Sequence, residues 1–179
     1  MEPASPYPLV VPEFVRVPPA GPAALYNSKM PNAKEQIGKE YPVVIQQAVV
    51  WGDMDAMRHV NNIVYFRYFE NARLDYFRRL DWFRYEDETG IGPIVSATQA
   101  RFRRPLTYPD TILIGARLLI LEEDRFTLEH RLVSETLDDV AATGQVTVVA
   151  YQYKEQRKTA IPDELRRRIA ELEATVTRA

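Results

Sequence analysis

An α+β fold, with one long helix packed against an antiparallel sheet, is what this sequence predicts. Three observations carry that prediction. Residues 63–80 form an amphipathic run in which Tyr65, Phe69, Ala72, Tyr76 and Leu80 recur at steps of three and four, the spacing of one helix face. The runs 93–102, 111–121, 126–133 and 140–153 have strand composition. In the third of them Phe126, Leu128, His130 and Leu132 alternate with Thr127, Glu129 and Arg131, the period of two expected of a strand. Polar connections such as Glu122-Glu123-Asp124 and Leu137-Asp138-Asp139 are short, which makes consecutive strands antiparallel neighbours.

Each element can be taken in order. Eight of the 13 prolines fall in the first 31 residues, so residues 1–40 read as a Pro-rich extended N-terminal arm without periodic apolar pattern. The arm reads as a floppy tail, or as one whose Val10, Val11, Phe14 and Val15 pack on a neighbouring subunit. Residues 42–51 are rich in valine and isoleucine and form a first strand, which Gly52 ends. The helix of 63–80 follows, with Asn61 as its N-cap. Residues 81–92 read as a loop, after which the four strands form a meander. Ile161, Leu165, Ile169, Leu172 and Val176 then repeat at helical spacing behind Pro162 and Asp163-Glu164, a helix start that suits the dipole. The chain thus divides into the arm (1–40), a single domain (41–155) and a C-terminal helical extension (156–179). One helix covers one face of such a sheet, so apolar residues on the other face predict a homo-oligomer.

Composition narrows the function classes. The 179 residues are 46% hydrophobic and 27% charged, with a net charge of −2 and no cysteine. Disulfides, thiolate metal sites and a cysteine nucleophile are therefore excluded. Two histidines without metal-ligand spacing predict no metal centre. No apolar run approaches the ~20 residues that span a bilayer, and Met1-Glu-Pro-Ala-Ser-Pro lacks the pattern of a secretory signal. The expectation is a cytoplasmic protein without nucleic-acid or membrane partners.

The polar block between the first strand and the long helix carries the chemistry. Asp53, Asp55, His59, Asn61 and Asn62 fall within ten residues and are delivered to a helix start, where free backbone N–H groups and the positive dipole end meet. A carboxylate there can attack an acyl carbon or take a proton from water, provided water is otherwise kept out. Trp51, Tyr65 and Phe66 are the candidate shield. On the residues alone Asp55 reads equally as catalytic or as a turn-forming aspartate, and Asp53 as a strand terminator. His130, on the apolar face of its strand, reads as a core or interface histidine. Arg101 and Arg103 share a strand face and suit a phosphate clamp, or a solvated strand end. Arg166-Arg167-Arg168 reads as a solvated helix face.

The block Asp53-Met-Asp55-Ala-Met-Arg58-His59-Val-Asn61-Asn62-Ile-Val-Tyr65 resembles the signature of hotdog-fold acyl-CoA thioesterases of the 4-hydroxybenzoyl-CoA thioesterase type. In these a strand ends in Asp-x-Asp and Gly-His-Val-Asn-Asn-x-x-Tyr begins the central helix. The resemblance covers residues 43–153. It implies an α+β hotdog fold, a long central helix wrapped by an antiparallel β-sheet, with the Pro-rich arm and the short C-terminal helix lying outside it. It also implies hydrolysis of an acyl-CoA to a free acid and coenzyme A, which is part of the substrate rather than a cofactor, by a homodimer or homotetramer. Asp55 is then the nucleophile or general base, and the N–H near Asn62 the oxyanion donor. His59 orients the loop or touches substrate, and Asn61 and Tyr65 line the site. Arg58 stands where the family has glycine. If that glycine supplies a positive φ, arginine there implies a changed loop path, or an added charge at the acyl or nucleotide end. The alternatives are hydrolysis of acyl groups from acyl carrier protein, and a non-catalytic acyl-CoA-binding module.

Overall fold

The computed structural model describes residues 32–176. Residues 1–31 of the arm lie outside the described residues. The remaining part of the arm departs from expectation: Ala33–Glu40 forms a helix (α1). Strand β1 (Val43–Ala48) follows, then a 3-10 turn at Trp51–Asp53 and the site loop. The long helix α2 (Asn62–Arg79) buries Tyr65, Tyr68, Phe69, Ala72, Tyr76 and Phe77, the stripe that its spacing predicts. Then come helix α3 (Trp82–Thr89) and strands β2 (Ile91–Phe102), β3 (Thr111–Leu121), β4 (Arg125–Ser134) and β5 (Asp139–Gln152). A two-residue strand β6 (Arg157–Lys158) pairs with β5, and helix α4 (Asp163–Glu173) ends the described chain.

Helix α3 replaces the loop expected over 81–92. A single residue, Asp81 at φ 54°, turns the chain between α2 and α3, so two helices occupy what reads as one broken pattern. Gly90, at φ 76°, ends α3, and its N–H donates to Glu86 O at 2.7 Å, the left-handed close that glycine makes without strain. Trp82 is fully buried beside Phe77 and Phe126.

The sheet is antiparallel throughout, but its order is β1-β3-β4-β5-β2. Only β3, β4 and β5 form the expected meander. β2 lies next to β5, Phe102 opposite Ala142 and Ile91 opposite Gln152, because residues 103–110 carry the chain across to β3 instead of turning it in a hairpin. Along the sheet, Ile112, Ile114, Ala116, Phe126, Leu128, Leu132, Val146 and Val148 join α2 in the main core.

The opposite face is partly covered as well. α1 packs Ala33 and Ile37 against Val133 and Val140, with Val44 and Leu113 alongside. Tyr41 lies over Gly115, its ring between the guanidinium groups of Arg117 and Arg131 at 4.8 and 4.9 Å. Its hydroxyl donates to Glu129 Oε1, and burial, the leading cause, pushes the phenol pKa upward. Val133 and Val140 are therefore buried within the chain, and Val44 and Leu113 partly so, whereas Ile120, opposite Thr127 on the same face, is exposed. No helix among the described residues is long and apolar enough to cross a membrane.

Candidate active site

The polar block folds as a closed loop between β1 and α2. Asn61 N–H donates to Asp53 O at 2.9 Å, Asp55 N–H to His59 O at 2.8 Å and Arg58 N–H to Asp55 O at 2.9 Å. Asp55 Oδ1 accepts from Met57 N–H at 2.8 Å. An isolated bridge joins Met54 to Val60. Below it Val60 N–H donates to Leu106 O at 2.9 Å, and Leu106 N–H donates to the Tyr65 hydroxyl at 3.3 Å. Segment 103–110 is thus the floor on which the loop rests. Its place was not readable from the sequence, where only Pro105 and Pro109 set it apart.

Arg58 takes φ 63°. The arginine adopts the left-handed conformation itself, and the loop's hydrogen bonds lie on either side of it.

At the helix start, Asn61 caps as predicted: its Oδ1 accepts from Ile63 N–H at 3.0 Å. Val64 N–H donates to Asn61 O at 2.9 Å. Both bonds bypass Asn62, whose backbone N–H has no acceptor among the described residues. A helix with its second N–H capped and its first one open presents a single donor beside the loop.

The carboxylates have separate surroundings. Asp53 is half-buried, and its Oδ2 accepts from the Tyr68 hydroxyl at 3.1 Å. Burial first, and then the Asp53 charge, raise the Tyr68 pKa, so the phenol stays a donor. Tyr68, absent from the expected site residues, thereby holds Asp53 in place. The signal for it was its place three residues after Tyr65, at helical spacing. Asp55 is exposed and, with Oδ1 occupied by Met57, keeps Oδ2 open among the described residues. His59 is exposed too, and its carbonyl, not its imidazole, orients the loop.

Tyr65 is buried, and Phe102 meets its ring edge-on at 5.0 Å. Burial raises the Tyr65 pKa, partly offset by the Leu106 N–H, so it lines the site as a neutral phenol. Phe102 was read only as a strand end. It faces the site by alternation, which puts Arg101 on the other face of β2, and Arg103 lies just past the strand, its N–H donating to Ala141 O. The pair is not gathered on the Tyr65 side.

The expected shield is not complete within one chain. Trp51 is 70% exposed, Met57 77% and Ile63 71%, so the most exposed large apolar residues described are on or beside this loop. His130 is apart from the site: it is fully buried and stacks on Phe69 at 5.3 Å, the core histidine that its strand position predicts. Among the described residues no three His, Cys, Asp or Glu side chains assemble as a metal site.

Comparison with known proteins places this arrangement. Residues 49–169 match the sequence profile of the Thioesterase-like superfamily. The long-chain acyl-CoA thioesterase FadM of Escherichia coli is 28% identical over 119 residues, 66% of this chain and 90% of FadM. A Thermus thermophilus thioesterase, solved with coenzyme A and zinc, superposes with a TM-score of 0.67 at 28% identity, over 76% of this chain and 97% of that one. A Synechocystis 1,4-dihydroxy-2-naphthoyl-CoA thioesterase shares the fold with a TM-score of 0.65 at 14% identity, over 73% of this chain and 97% of that one.

Proposed function

This chain belongs to the thioesterase-like superfamily, and from that premise we propose that it hydrolyses acyl-CoA thioesters with Asp55 at the reacting centre. Thioester hydrolysis is the activity its relatives carry in their names. The observation that carries the residue assignment is the pairing of an open Asp55 Oδ2 with an open Asn62 N–H across one short loop.

Asp55 acts as nucleophile or as general base on water. As general base it takes a proton from water, whose oxygen bonds to the acyl carbon as the C–S bond breaks, and that proton passes to the leaving thiolate of coenzyme A. As nucleophile its own oxygen displaces the thiolate to give a mixed anhydride, which water hydrolyses to the free acid, restoring Asp55 and supplying the proton that the thiolate takes. Negative charge gathers on the carbonyl oxygen on the way, and the Asn62 N–H at the positive end of α2 is the donor for it. Asn61 keeps that donor aimed by capping the next one, and Tyr65 lines the acyl side with Phe102. His59 serves through its carbonyl, which accepts from Asp55 N–H. Arg103, and Arg101 around the β2 edge, are assigned to the phosphates of coenzyme A.

Catalysis needs a drier site than one chain provides, and the unpaired edge of the sheet offers the means. β2 is twelve residues long, is paired only with β5, and is exposed over Val95–Gln99. A free edge of that length is open to pairing with another strand. We assign it to a second copy of the chain, giving a homodimer, or a tetramer of such dimers, in which Trp51, Met57 and Ile63 lose their exposure.

The test is release of coenzyme A from short, long and aromatic acyl-CoAs, followed with a thiol reagent. The chain has no cysteine to add background. Asp55→Asn is expected to lower kcat by about 10²–10⁴ while substrate still binds. Full activity in that variant would remove Asp55 from the centre, and no turnover of any acyl-CoA would end the hydrolase assignment.

A further inference from the structure

Arg58 is strained, charged and unclaimed. Its φ of 63° is one that a residue with a Cβ adopts reluctantly. Of the other non-glycine residues with positive φ, Asn32, Asp81 and Asp138 are of the tolerant types, and Gln156 lies in the four-residue turn between β5 and β6. The Arg58 backbone closes the turn onto Asp55 O, but its side chain takes no part in the fold. It is exposed, and its guanidinium has neither hydrogen bond nor ion pair among the described residues. The carboxylates of its own loop do not take it, since Asp53 receives Tyr68 and Asp55 receives Met57. A guanidinium that the fold leaves without a partner, carried at a positive φ in the turn that holds the reacting carboxylate, points to a ligand.

Its reach selects which end of the ligand. The hydrogen bond from Arg58 N–H to Asp55 O closes a turn, which keeps the two Cα atoms within about 7 Å, and the arginine side chain extends about 6 Å more. That range covers the first several carbons of an acyl group whose carbonyl sits at Asp55. The phosphates of coenzyme A are separated from its sulfur by the pantetheine arm, about 15 Å when extended, and lead away from the acyl side. A guanidinium is also matched to a carboxylate, which it grips through two parallel N–H donors. Exposed Met57, next to it in the chain, offers contact for the methylenes in between.

We propose that Arg58 is a specificity-determining residue that pairs with a carboxylate carried on the acyl group, so that the substrate class is the coenzyme A monothioester of a dicarboxylic acid. This rests on the acyl-CoA thioesterase reading of the same site.

The experiment compares acyl-CoAs that differ only in the terminal group: glutaryl- with pentanoyl-CoA, and adipyl- with hexanoyl-CoA. Glycine relieves the strained φ, so Arg58→Gly folds, which a thermal melt verifies. The full chain is expected to favour the carboxylated member in kcat/KM by about 10–100-fold, the range for a charge-assisted pair. Arg58→Gly brings that ratio close to one, and Arg58→Lys keeps part of it. A ratio near one in the unsubstituted protein overturns the assignment. So does a loss in Arg58→Gly that is equal for both members of a pair, because the cation would then serve the shared coenzyme A. Calorimetric binding of the same pairs to the Asp55→Asn protein separates the two readings. Absence of turnover would defeat the thioesterase reading alone, and the binding ratio would still decide for or against Arg58.

Discussion

Lowering the pH from 7.5 to 5.0 should destabilise this protein by about 2 kcal/mol through one residue, His130. The ring is fully buried, stacked on Phe69, with neither nitrogen making a well-formed hydrogen bond. Burial is the main reason its pKa falls from 6.5 to about 3, the Arg73 charge adds to the fall, and a backbone contact with Gly115 opposes it. The folded chain therefore holds His130 neutral where the unfolded chain binds a proton. The stability this contributes is full above pH 6.5 and is lost as the pH falls from there towards 3. Each unit in that window is worth about 1.4 kcal/mol. At pH 5.0 the folded imidazole is still neutral, so the unfolded value alone sets the loss, about 1.5 units or 2 kcal/mol. The assay is urea unfolding at pH 7.5 and 5.0, at one protein concentration, for the unsubstituted chain and His130→Leu. Leucine fills the space and removes two unpaired polar atoms, which offsets the lost ring stacking. His59, the other histidine, is exposed and common to both proteins, so it cancels in the comparison. The unsubstituted protein should lose about 2 kcal/mol more than the variant between the two pH values. Equal losses would refute the reasoning, because His130 would then gain its proton without unfolding.

Two further substitutions test the packing that positions the site. A Cβ at Gly144 would stand 2.6 Å from Phe69 Cε2 and 2.8 Å from Cδ2, so Gly144→Ala displaces the ring that stacks on His130. Overpacking of this kind costs about 1–3 kcal/mol, a fall of about 3–10 °C in Tm, and a thermal melt that does not move would show the α2–sheet contact to be looser than described. Asn61→Ala removes the cap on Ile63 N–H and should cost about 1 kcal/mol in urea unfolding. The same variant should lower kcat about ten- to hundredfold by misaiming the Asn62 donor, and an unchanged kcat beside the stability loss would separate the cap from catalysis.

What was legible in the sequence divides along the range of the interactions involved. The α2 stripe, the Asn61 cap, the alternation that buries His130 and the β3-β4-β5 meander depend on residues near one another in the chain, and all were readable. The α+β order followed from them, and the block from Asp53 to Tyr65 stood out by its own polar residues and by its resemblance to a family signature. The pairing of β2 with β5 was not readable, because it joins residues about fifty positions apart and leaves no periodicity in either strand. Helix α3 was hidden by Asp81, whose single left-handed step breaks the face pattern without a proline or glycine. Helix α1 was hidden by the proline-rich sequence in front of it. Its packing changes the argument for association. Ala33, Ile37 and Tyr41 cover Val133 and Val140 on the outer face, with Val44 and Leu113 alongside, so these residues do not call for a second chain.

The case for a partner moves to the site itself. Asp55 is held by its own loop, the Asn62 N–H is left open by its own cap, and Tyr65 and Phe102 stand beside them. Positioning of the groups we assign to the chemistry is therefore complete within one chain. Water exclusion is not, since Trp51, Met57 and Ile63 rim the loop in the open. A carboxylate and an oxyanion donor gain most of their power when the surrounding dielectric is low. Placing the unpaired β2 edge against another copy would lower it without moving any residue that does the chemistry. On this reasoning a monomer produced by charges at the exposed β2 edge positions Val95 and Thr98 should keep the loop geometry and bind acyl-CoA, yet turn it over slowly.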